Sequence, residues 1–478
     1  MYRPFLFLCV TISATAAIPE PVKLDAGLVS GTAGASGEVR VFKGIPFAAP
    51  PVGPLRWKSP QPVAKWDGVR KADQFGARCM QAQQPGSQPV SEDCLYLNIW
   101  TGAASASERL PVMVWTYGGA FTGGAGSLPA YDGEELARKG AIIVTYNYRL
   151  GVFGFLSHPE LTKESGRNAS GNYGLMDFVA VLKWVQKNIE GFGGDPRRVT
   201  IMGESAGAML VAAAVGSPEA KGLFVRAIAE SGAYMGLGVG HTAPLAGAEA
   251  AGAKLGTLAE LRAKSAEDLQ KVSRSGGMVV DGWYIPEDLN VRFAQGRQNN
   301  VDVLIGSNKD EGTFFQRGTT AEAFVKQARE KYGDQTDEFL KLYPAGSDAE
   351  ASASSLAAFR DELVWHMQLW AKLTAKRGRK AYVYYFTQEP PAAPGVPFRG
   401  ATHTAEIAYV FHNRSKQWTE ADEKVSQQMS TTWVDFAAKG TAGTADAKPY
   451  AVFGPAPSAG QAPDAARLAF FDSVYMKK

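Results

Sequence analysis

Val199-Thr200-Ile201-Met202-Gly203-Glu204-Ser205-Ala206-Gly207 joins an apolar run to a serine that has a glycine two positions away on each side. The apolar run predicts a buried strand that ends in a sharp turn with Ser205 at its apex. Small residues on both sides of the serine let the backbone double back without a collision. The segment therefore has the pattern of a nucleophile elbow, in which a serine is exposed between a strand and the helix that follows.

The sequence around this segment predicts an α/β fold with a mostly parallel central sheet and helices on both faces. Short apolar runs that lack the alternation of a half-exposed strand are separated by longer helical patterns, which is typical of such a sheet. Apolar residues at helical spacing over 175–189 place a helix directly before the nucleophile strand. The predicted strands are residues 112–116, 141–146, 199–202, 301–306 and 381–387.

The composition is that of a large globular protein. The 478 residues are 45% hydrophobic and 11% aromatic, which is ample for a core, and there is no internal repeat and no long linker. A net charge of +3 arises from 50 basic and 47 acidic residues that are spread along the chain, so nucleic acid is not an expected partner. One large domain is the simplest organisation.

The first sixteen residues have the pattern of a secretory signal peptide. A positive charge at Arg3 is followed by a mostly apolar stretch over 5–12 and by Ala14-Thr15-Ala16, the small-x-small form of a cleavage site. We therefore expect a signal peptide over 1–16 and a single domain over 17–478. The apolar stretch is too short to span a bilayer, so the expectation is a secreted or periplasmic protein without stable membrane insertion.

Two cysteines remain after Cys9 is removed with the signal peptide. Cys79 and Cys94 close a loop for which a disulfide contributes about 3 kcal/mol in the chain-entropy model. Export permits such a bond. The alternative, a reactive thiol or a metal pair, lacks histidine or acidic ligands at suitable spacing, so no metal or organic cofactor is expected.

A serine nucleophile needs donors for the oxyanion, a base, and a group that orients the base. The donors are predicted in residues 117–121, Tyr-Gly-Gly-Ala-Phe, because small residues directly after a buried strand leave backbone N–H groups free to face a substrate. Of the five histidines, His403 stands at a loop-to-helix junction from which it could reach the elbow, whereas His366 lies in an apolar helical stretch. His158, His241 and His412 lie in loops or among polar residues.

The acid that orients the base is predicted after the strand over 301–306. Asp310 and Glu311 both lie in the loop at the carboxyl end of this strand, where open α/β sheets gather their catalytic groups. The residues alone leave the choice between these two carboxylates open. The chain order of serine, acid and histidine is the order found in α/β-hydrolases.

With these residues in view, the chain resembles the type-B carboxylesterases, the family that includes the cholinesterases and their non-enzymatic neuroligin relatives. Residues 42–48 with Pro50-Pro51 are similar to the N-terminal motif of that family, and residues 91–99 are similar to its second signature. Residues 193–207 are similar to its active-site block. The resemblance implies the α/β-hydrolase fold.

The resemblance also implies roles for particular residues of this chain. It implies that Ser205 is the nucleophile, Glu311 the acid and His403 the base. It implies that the backbone N–H groups of Gly119, Ala120 and Ala206 form the oxyanion hole, although many members have a third glycine where Ala120 stands. It further implies a disulfide between Cys79 and Cys94 and a structural ion pair between Glu92 and Arg149.

The expected function is that of a serine carboxylesterase acting on a small-molecule ester, as a monomer or a small homo-oligomer. The segment between Cys79 and Cys94 has no aromatic residue, whereas the cholinesterases carry there the tryptophan that faces choline. A choline ester is therefore not the expected substrate, because the cation–π contact is missing. The alternatives are a lipase, an amidase or a specialised ester hydrolase, and, outside enzymes, a neuroligin-like binding module.

Overall fold

The computed structural model describes residues 18–476 apart from 84–85, 234–241, 273–276, 316–317, 393–394, 396–398, 444–449 and 458–461. The predicted signal peptide over 1–16 and His241 therefore lie outside the described residues. Within the described ranges, none of the helices combines the length and the apolar character that crossing a bilayer requires.

A ten-stranded sheet forms the centre of the molecule. Its strands, in chain order, are β1 (Thr32–Ala33), β2 (Arg40–Pro46), β3 (Tyr96–Thr101), β4 (Leu110–Thr116), β5 (Ile142–Tyr146), β6 (Gly194–Glu204), β7 (Arg226–Glu230), β8 (Asp302–Asn308), β9 (Ala381–Phe386) and β10 (Ala451–Phe453). Their spatial order is β10-β9-β8-β7-β6-β4-β5-β3-β2-β1. All pairs from β10 to β5 are parallel, and the pairs that involve β3, β2 and β1 are antiparallel. The expected mostly parallel sheet is confirmed.

Sixteen α-helices are assigned in the described part of the chain. They are α1 (Glu134–Arg138), α2 (Gly151–Phe155), α3 (Pro159–Glu164), α4 (Tyr173–Asn188), α5 (Ala206–Gly216), α6 (Leu245–Ala253), α7 (Leu258–Ala263), α8 (Ala266–Val272), α9 (Leu289–Ala294), α10 (Gly312–Phe315), α11 (Ala321–Tyr332), α12 (Thr336–Leu342), α13 (Asp348–Lys376), α14 (Ile407–Phe411), α15 (Glu420–Lys439) and α16 (Ala465–Tyr475). Short strands pair outside the main sheet at Val22–Lys23, Leu28–Ser30 and Val69–Lys71, at Arg78–Cys79 with Val90–Ser91, and at Ala243–Pro244 with Val279–Val280.

The central strands are covered on both faces. In β4, the consecutive side chains from Val112 to Trp115 are all fully buried, and consecutive side chains of a strand point to opposite faces. Helix α5 packs against β6 and β7 and consists of alanine, glycine and aliphatic residues, which allow a close approach to the sheet. These contacts fix the carboxyl end of β6, where Ser205 follows, relative to its neighbours.

The disulfide expected from the sequence is present between Cys79 and Cys94, whose Cα atoms are 4.9 Å apart. The expected ion pair between Glu92 and Arg149 is wrong. Arg149 instead binds Asp177 of α4, with Nη2 2.8 Å from Oδ1 and its backbone N–H donating to Oδ2 at 2.9 Å. Glu92 accepts from Arg56 Nε at 2.7 Å.

The physical reason for the different pairing lies in the elements that surround each arginine. Arg149 follows β5 and faces α4, where Asp177 is completely buried and accepts from both the backbone and the side chain of Arg149. Arg56 reaches Glu92 and also donates from Nη1 to carbonyl oxygens at the end of α7, including that of Arg262 at 3.1 Å. The fold therefore pairs Arg149 with Asp177 and Arg56 with Glu92, in place of the pair that the family resemblance implies.

We expect Asp177→Asn to destabilise the protein by about 3–5 kcal/mol, because the variant leaves the buried Arg149 guanidinium without a counter-charge. Guanidinium-induced unfolding measures the change. The matched control is Asp435→Asn, which removes an i,i+4 pair with the exposed Lys439 on α15 and is expected to cost at most about 0.5 kcal/mol. Equal effects of the two substitutions would contradict a structural role for the Arg149–Asp177 pair.

Candidate active site

Ser205 lies at the apex of a strained turn between β6 and α5. Its backbone has φ +55° and ψ −124°, a conformation that costs a non-glycine residue about 1–3 kcal/mol. Two hydrogen bonds hold it: the Ser205 N–H donates to the Glu230 carbonyl at 2.9 Å, and Met209 N–H donates to the Ser205 carbonyl at 3.0 Å. The side chain is partly exposed while its sequence neighbours are buried. This is the geometry that the sequence predicts for a nucleophile elbow.

The glycines on either side of Ser205 are required by the approach of β4. A Cβ atom on Gly207 would overlap the carbonyl oxygen of Thr116, and one on Gly203 would lie 2.7 Å from the same oxygen. Neither position therefore has room for a side chain. The elbow is thus set by direct backbone packing between the last residue of β4 and the turn.

The structure brings His403 and Glu311 together at the carboxyl end of β8. Nδ1 of His403 lies 2.6 Å from Oε2 of Glu311, and Oε1 of Glu311 accepts from the backbone N–H of Asn308 at 2.8 Å. Asp310 turns away from His403 and accepts from the Ala401 N–H at 2.8 Å. Of the two carboxylates that the residues alone left open, Glu311 is the one that contacts the imidazole.

The other described histidines have separate surroundings. His158 caps α3 by accepting from the Glu160 N–H, and Nδ1 of His412 lies 2.7 Å from the Ser426 hydroxyl. His366 is buried within α13 beside the ring of Trp365. His403 is the histidine that the structure places next to the elbow, since its Nε2 lies 3.1 Å from Oε1 of Glu204.

Glu204 was missed as a functional residue by the sequence analysis. It is the variable position of the Gly-x-Ser-x-Gly pattern, yet its carboxylate is buried and faces His403 Nε2. Among the contacts of the described residues there is no hydrogen bond between His403 and Ser205; the imidazole contacts Glu311 through Nδ1 and faces Glu204 with Nε2. A glutamate at the end of an otherwise apolar strand, directly before Ser205, was the available indication.

The two carboxylates change the proton affinity of the site. Burial favours the neutral imidazole of His403, but the charges of Glu204 and Glu311 outweigh burial and raise the pKa of His403 to about 10. Burial raises the pKa of Glu204 to about 8, although the neighbouring His403 acts in the opposite direction. In this arrangement the two carboxylates therefore favour a protonated His403 at neutral pH.

Two further buried glutamates lie near this pair. Glu406 accepts from the Ser231 hydroxyl at 3.2 Å and from the side-chain amide of Asn308. Glu230 accepts from Trp433 Nε1 at 2.7 Å. Burial, and then the charge of Glu311, raise the pKa of Glu406 to about 7, and burial together with the charge of Glu406 raises the pKa of Glu230 above its usual range.

The loop after β4 runs directly beside the serine. A Cβ atom on Gly118 would lie 2.9 Å from the Ser205 Cβ, and Gly119 and Ala120 follow with φ +106° and +52°. Both of these residues are exposed. Within the described part of the chain, no acceptor is found for the backbone N–H groups of Gly119, Ala120 or Ala206. Ala206 is also the first residue of α5, where the helix dipole favours negative charge.

Two exposed phenylalanines line the other side of the imidazole and were also missed by the sequence analysis. Phe314 and Phe315 belong to α10, which begins directly after Glu311, and their rings lie 5.5 and 4.8 Å from the His403 ring between centroids. They are 48% and 47% exposed. Their spacing of three and four residues from Glu311, one helical turn, was the available indication.

The described residues contain no group of three or more His, Cys, Asp or Glu side chains arranged to hold a metal ion. The groups assembled around Ser205 are a hydroxyl, an imidazole with a bound carboxylate, and free backbone N–H donors. This set is suited to nucleophilic attack on a carbonyl carbon followed by stabilisation of an oxyanion.

Comparisons with known proteins agree with this chemistry. A sequence model of the carboxylesterase family matches residues 19–459. The chain is 40% identical over 441 residues to a fumonisin B1 esterase of Sphingopyxis macrogoltabida, covering 85% of this chain and 80% of the relative. It is 35% identical over 454 residues to a para-nitrobenzyl esterase of Bacillus subtilis (strain 168), covering 87% and 89%. It is 32% identical over 469 residues to a cholinesterase of Mus musculus, covering 84% and 76%.

Solved structures of PNB esterases have the same fold. One superimposes with a TM-score of 0.77 at 32% identity, covering 90% of this chain and 93% of the other. Another superimposes with a TM-score of 0.75 at 34% identity, covering 88% and 90%. The expected α/β-hydrolase fold is thereby confirmed.

We expect Gly207→Ala to lower esterase activity by roughly 100-fold, because the new methyl group collides with the Thr116 carbonyl and displaces the turn. The rate per folded molecule, with folding followed by circular dichroism, measures the effect. The control is Gly247→Ala on the exposed side of α6, where a Cβ atom meets nothing within 4 Å. That variant is expected to keep its activity and to gain up to about 1 kcal/mol of stability. Full activity of Gly207→Ala would show that the packing at the elbow is not needed.

Proposed function

The chain belongs to the carboxylesterase family and is a carboxylic-ester hydrolase, and from this premise we propose that Ser205, His403 and Glu311 carry out the hydrolysis. The observation that carries the proposal is the hydrogen-bond distance between His403 and Glu311 beside a strained, partly exposed serine at the end of β6. A base that is oriented by a carboxylate next to a serine hydroxyl is the arrangement that acyl transfer requires.

The proposed reaction begins when the Ser205 hydroxyl attacks the ester carbonyl carbon. His403 Nε2 takes the proton of the hydroxyl, while Glu311 accepts the Nδ1–H bond and stabilises the charged imidazole. The imidazolium then gives its proton to the leaving alcohol, and the acyl group remains on Ser205 Oγ. Water attacks this acyl-enzyme with His403 again acting as base, which releases the carboxylic acid and restores the serine.

Glu204 has a distinct part in this proposal. In the arrangement observed, His403 Nε2 faces Glu204, so the imidazole must direct Nε2 to Ser205 once a substrate is bound. Because the pKa of His403, about 10, is higher than the pKa of Glu204, about 8, a proton shared by the pair resides on the imidazole. His403 acts as base only after the imidazole has released this proton.

The oxyanion of the tetrahedral intermediate is proposed to bind the backbone N–H groups of Gly119, Ala120 and Ala206. These groups are supported as donors by their lack of an acceptor in the described residues and by their position around Ser205. Loss of one donor of this kind typically costs about 2.7–4 kcal/mol of transition-state stabilisation. Because the donors are backbone groups, the methyl of Ala120 does not remove one.

We propose a small-molecule ester with an apolar group as the substrate. Phe314 and Phe315 offer an exposed aromatic surface beside His403, which favours an apolar acyl or alcohol group. Residues 80–93 have no aromatic side chain to receive a quaternary ammonium group, so a choline ester is not the preferred substrate. Two relatives, named fumonisin B1 esterase and para-nitrobenzyl esterase, support an ester as the substrate.

The proposal for the whole protein is an exported enzyme. A signal peptide over residues 1–16 is proposed to precede one α/β-hydrolase domain over 17–478, which acts as a monomer or a small homo-oligomer. The disulfide between Cys79 and Cys94 is compatible with an extracellular or periplasmic location, since such bonds persist in oxidising compartments.

The first experiment compares the wild-type protein with Ser205→Ala on p-nitrophenyl esters of increasing acyl length, above and below their solubility. We expect Ser205→Ala to lose at least about 1,000-fold in kcat, because no acyl-enzyme can form. The control Ser107→Ala, in an exposed turn, is expected to leave turnover unchanged. Equal rates in wild type and Ser205→Ala would overturn the nucleophile assignment. A rate increase at the substrate interface would indicate a lipase.

We expect kcat/KM to rise with pH around a midpoint above about 7, because Glu204 and Glu311 keep His403 protonated to a higher pH than a free imidazole. A base with a raised pKa becomes neutral, and active, only as the pH rises through that value. Glu204→Gln removes one of the two carboxylate charges that raise the pKa of His403 and is expected to move the midpoint down by roughly 1–2 pH units. Glu338→Gln on the exposed side of α12 is the control. An unchanged midpoint in Glu204→Gln would mean that Glu204 does not act on the base.

A further inference from the structure

Gln81 is a buried side chain behind the oxyanion loop, two residues after the disulfide cysteine Cys79. Its Nε2 donates to the carbonyl of Gly124 at 2.7 Å and to the carbonyl of Cys79 at 3.0 Å. Its Oε1 accepts from the Gly124 N–H at 2.9 Å and from Arg78 Nη2 at 2.6 Å. Both polar groups of the Gly124 backbone are therefore bound by one carboxamide, which is itself fully hydrogen-bonded.

Arg78 fixes the orientation of this carboxamide. A guanidinium can only donate hydrogen bonds, so the atom of Gln81 that faces it must be the oxygen. The amide nitrogen then necessarily faces the carbonyls of Gly124 and Cys79. Arg78 is almost completely buried and has no carboxylate within ion-pair distance among the described residues. The contact with Gln81 is thus its principal polar contact.

The fixed position of Gly124 in turn restrains the oxyanion loop. Gly124 has φ +109°, and a Cβ atom there would overlap the Tyr117 ring and lie 2.9 Å from the Gly118 carbonyl oxygen. Gly123 in turn donates to the Gly119 carbonyl at 3.1 Å. Residues 119–124 therefore form a closed turn that packs against the residues leading into it, with Gln81 on its outer side.

The loop needs such an anchor. Ala120 and Phe121 both have positive φ, +52° and +60°, which non-glycine residues adopt only when their surroundings enforce it. Gly119 and Ala120 are exposed, so packing on the solvent side does not hold them. The Phe121 carbonyl accepts from the Gly151 N–H at 2.7 Å, and the clamp at Gly124 is the next fixed point along the chain.

We propose that Gln81 is a positioning residue for ester hydrolysis, which clamps Gly124 and thereby aims the N–H groups of Gly119 and Ala120 at the oxyanion. It does not touch the substrate. Arg78 orients the clamp, and the bond to the Cys79 carbonyl ties it to the disulfide. The inference rests on the proposed function, because the two N–H groups matter only if Ser205 forms a tetrahedral intermediate.

The experiment compares Gln81→Met with the wild type on one soluble p-nitrophenyl ester, with the rate expressed per serine titrated by a fluorescent phosphonate. We expect kcat to fall about 10- to 100-fold while KM changes less than about twofold, since displaced oxyanion donors are felt mainly in the transition state. The affinity for a trifluoromethyl ketone, whose hydrate-like serine adduct carries the same oxyanion, should fall by a similar factor. A role limited to stability would leave this affinity per folded site unchanged.

Gln83→Met is the matched control, because Gln83 lies in the same disulfide loop but its amide binds Ser87 and Gln88. It should retain wild-type kcat and ketone affinity. If circular dichroism shows that Gln81→Met does not fold, Gln81→Glu provides the test. It keeps the two acceptor contacts, replaces both donations with repulsion between oxygens, and is expected to lower kcat and ketone affinity in the same direction.

The outcomes separate this inference from the proposed function. If folded Gln81 variants keep kcat within twofold, or lose kcat without losing ketone affinity, the positioning role of Gln81 is overturned while the Ser205 mechanism stands. If Ser205→Ala retains turnover, the proposed function fails first. A parallel loss of kcat and ketone affinity in the Gln81 variants, with Ser205→Ala inactive, supports both.

Discussion

The contact between the carbonyl of Thr116 and the backbone of Gly203 and Gly207 is the constraint on which the site depends. It brings the end of β4 against the turn that follows β6. The strand that carries Ser205 and the strand that leads into the proposed oxyanion loop therefore end at the same edge of the sheet. Gly118 then lies beside Ser205 because it follows Thr116 by only two residues. The parallel register extends the same edge through β7 and β8, from which Glu230 and Asn308 approach. Ser205 and the loop proposed to supply the oxyanion donors are thus positioned by contacts of the backbone.

Much of this arrangement could be predicted from the sequence. The predicted strands all lie in the central sheet, although β6 begins at Gly194, earlier than the apolar run, and its pairing with β4 is irregular between Gly194 and Val199. The elbow and the oxyanion loop could be located from their residue types because their backbone conformations accept few residues other than small ones. The choice between Asp310 and Glu311 was different, since adjacent residues of a turn point in different directions and only the resemblance to a family favoured glutamate.

The errors concern partners that depend on tertiary packing. The family resemblance pairs Arg149 with Glu92, whereas the fold places Asp177 of α4 beside Arg149, which follows β5. No local sequence pattern shows which helix will pack beside the end of a strand. No role for Glu204 was predicted because its contact with His403 joins residues almost 200 positions apart in the chain. Phe314 and Phe315 were overlooked for a related reason. Their role depends on the imidazole of His403, which is distant in the sequence, and their own segment has the pattern of an ordinary helical turn.

The buried glutamates beside His403 also link the site to the pH dependence of folding. In the folded protein Glu204 keeps its proton up to about pH 8 and His403 up to about pH 10, whereas an unfolded chain releases these protons near the ordinary values of 4.5 and 6.5. The folded state therefore binds more protons in these windows, and its stability falls as the pH rises through them. In the proposed mechanism the same increase in pH frees His403 to act as base. The proposed mechanism therefore gains activity over the pH range in which Glu204 and His403 lower the stability of the folded state, so one buried cluster of charges makes activity and stability change in opposite directions.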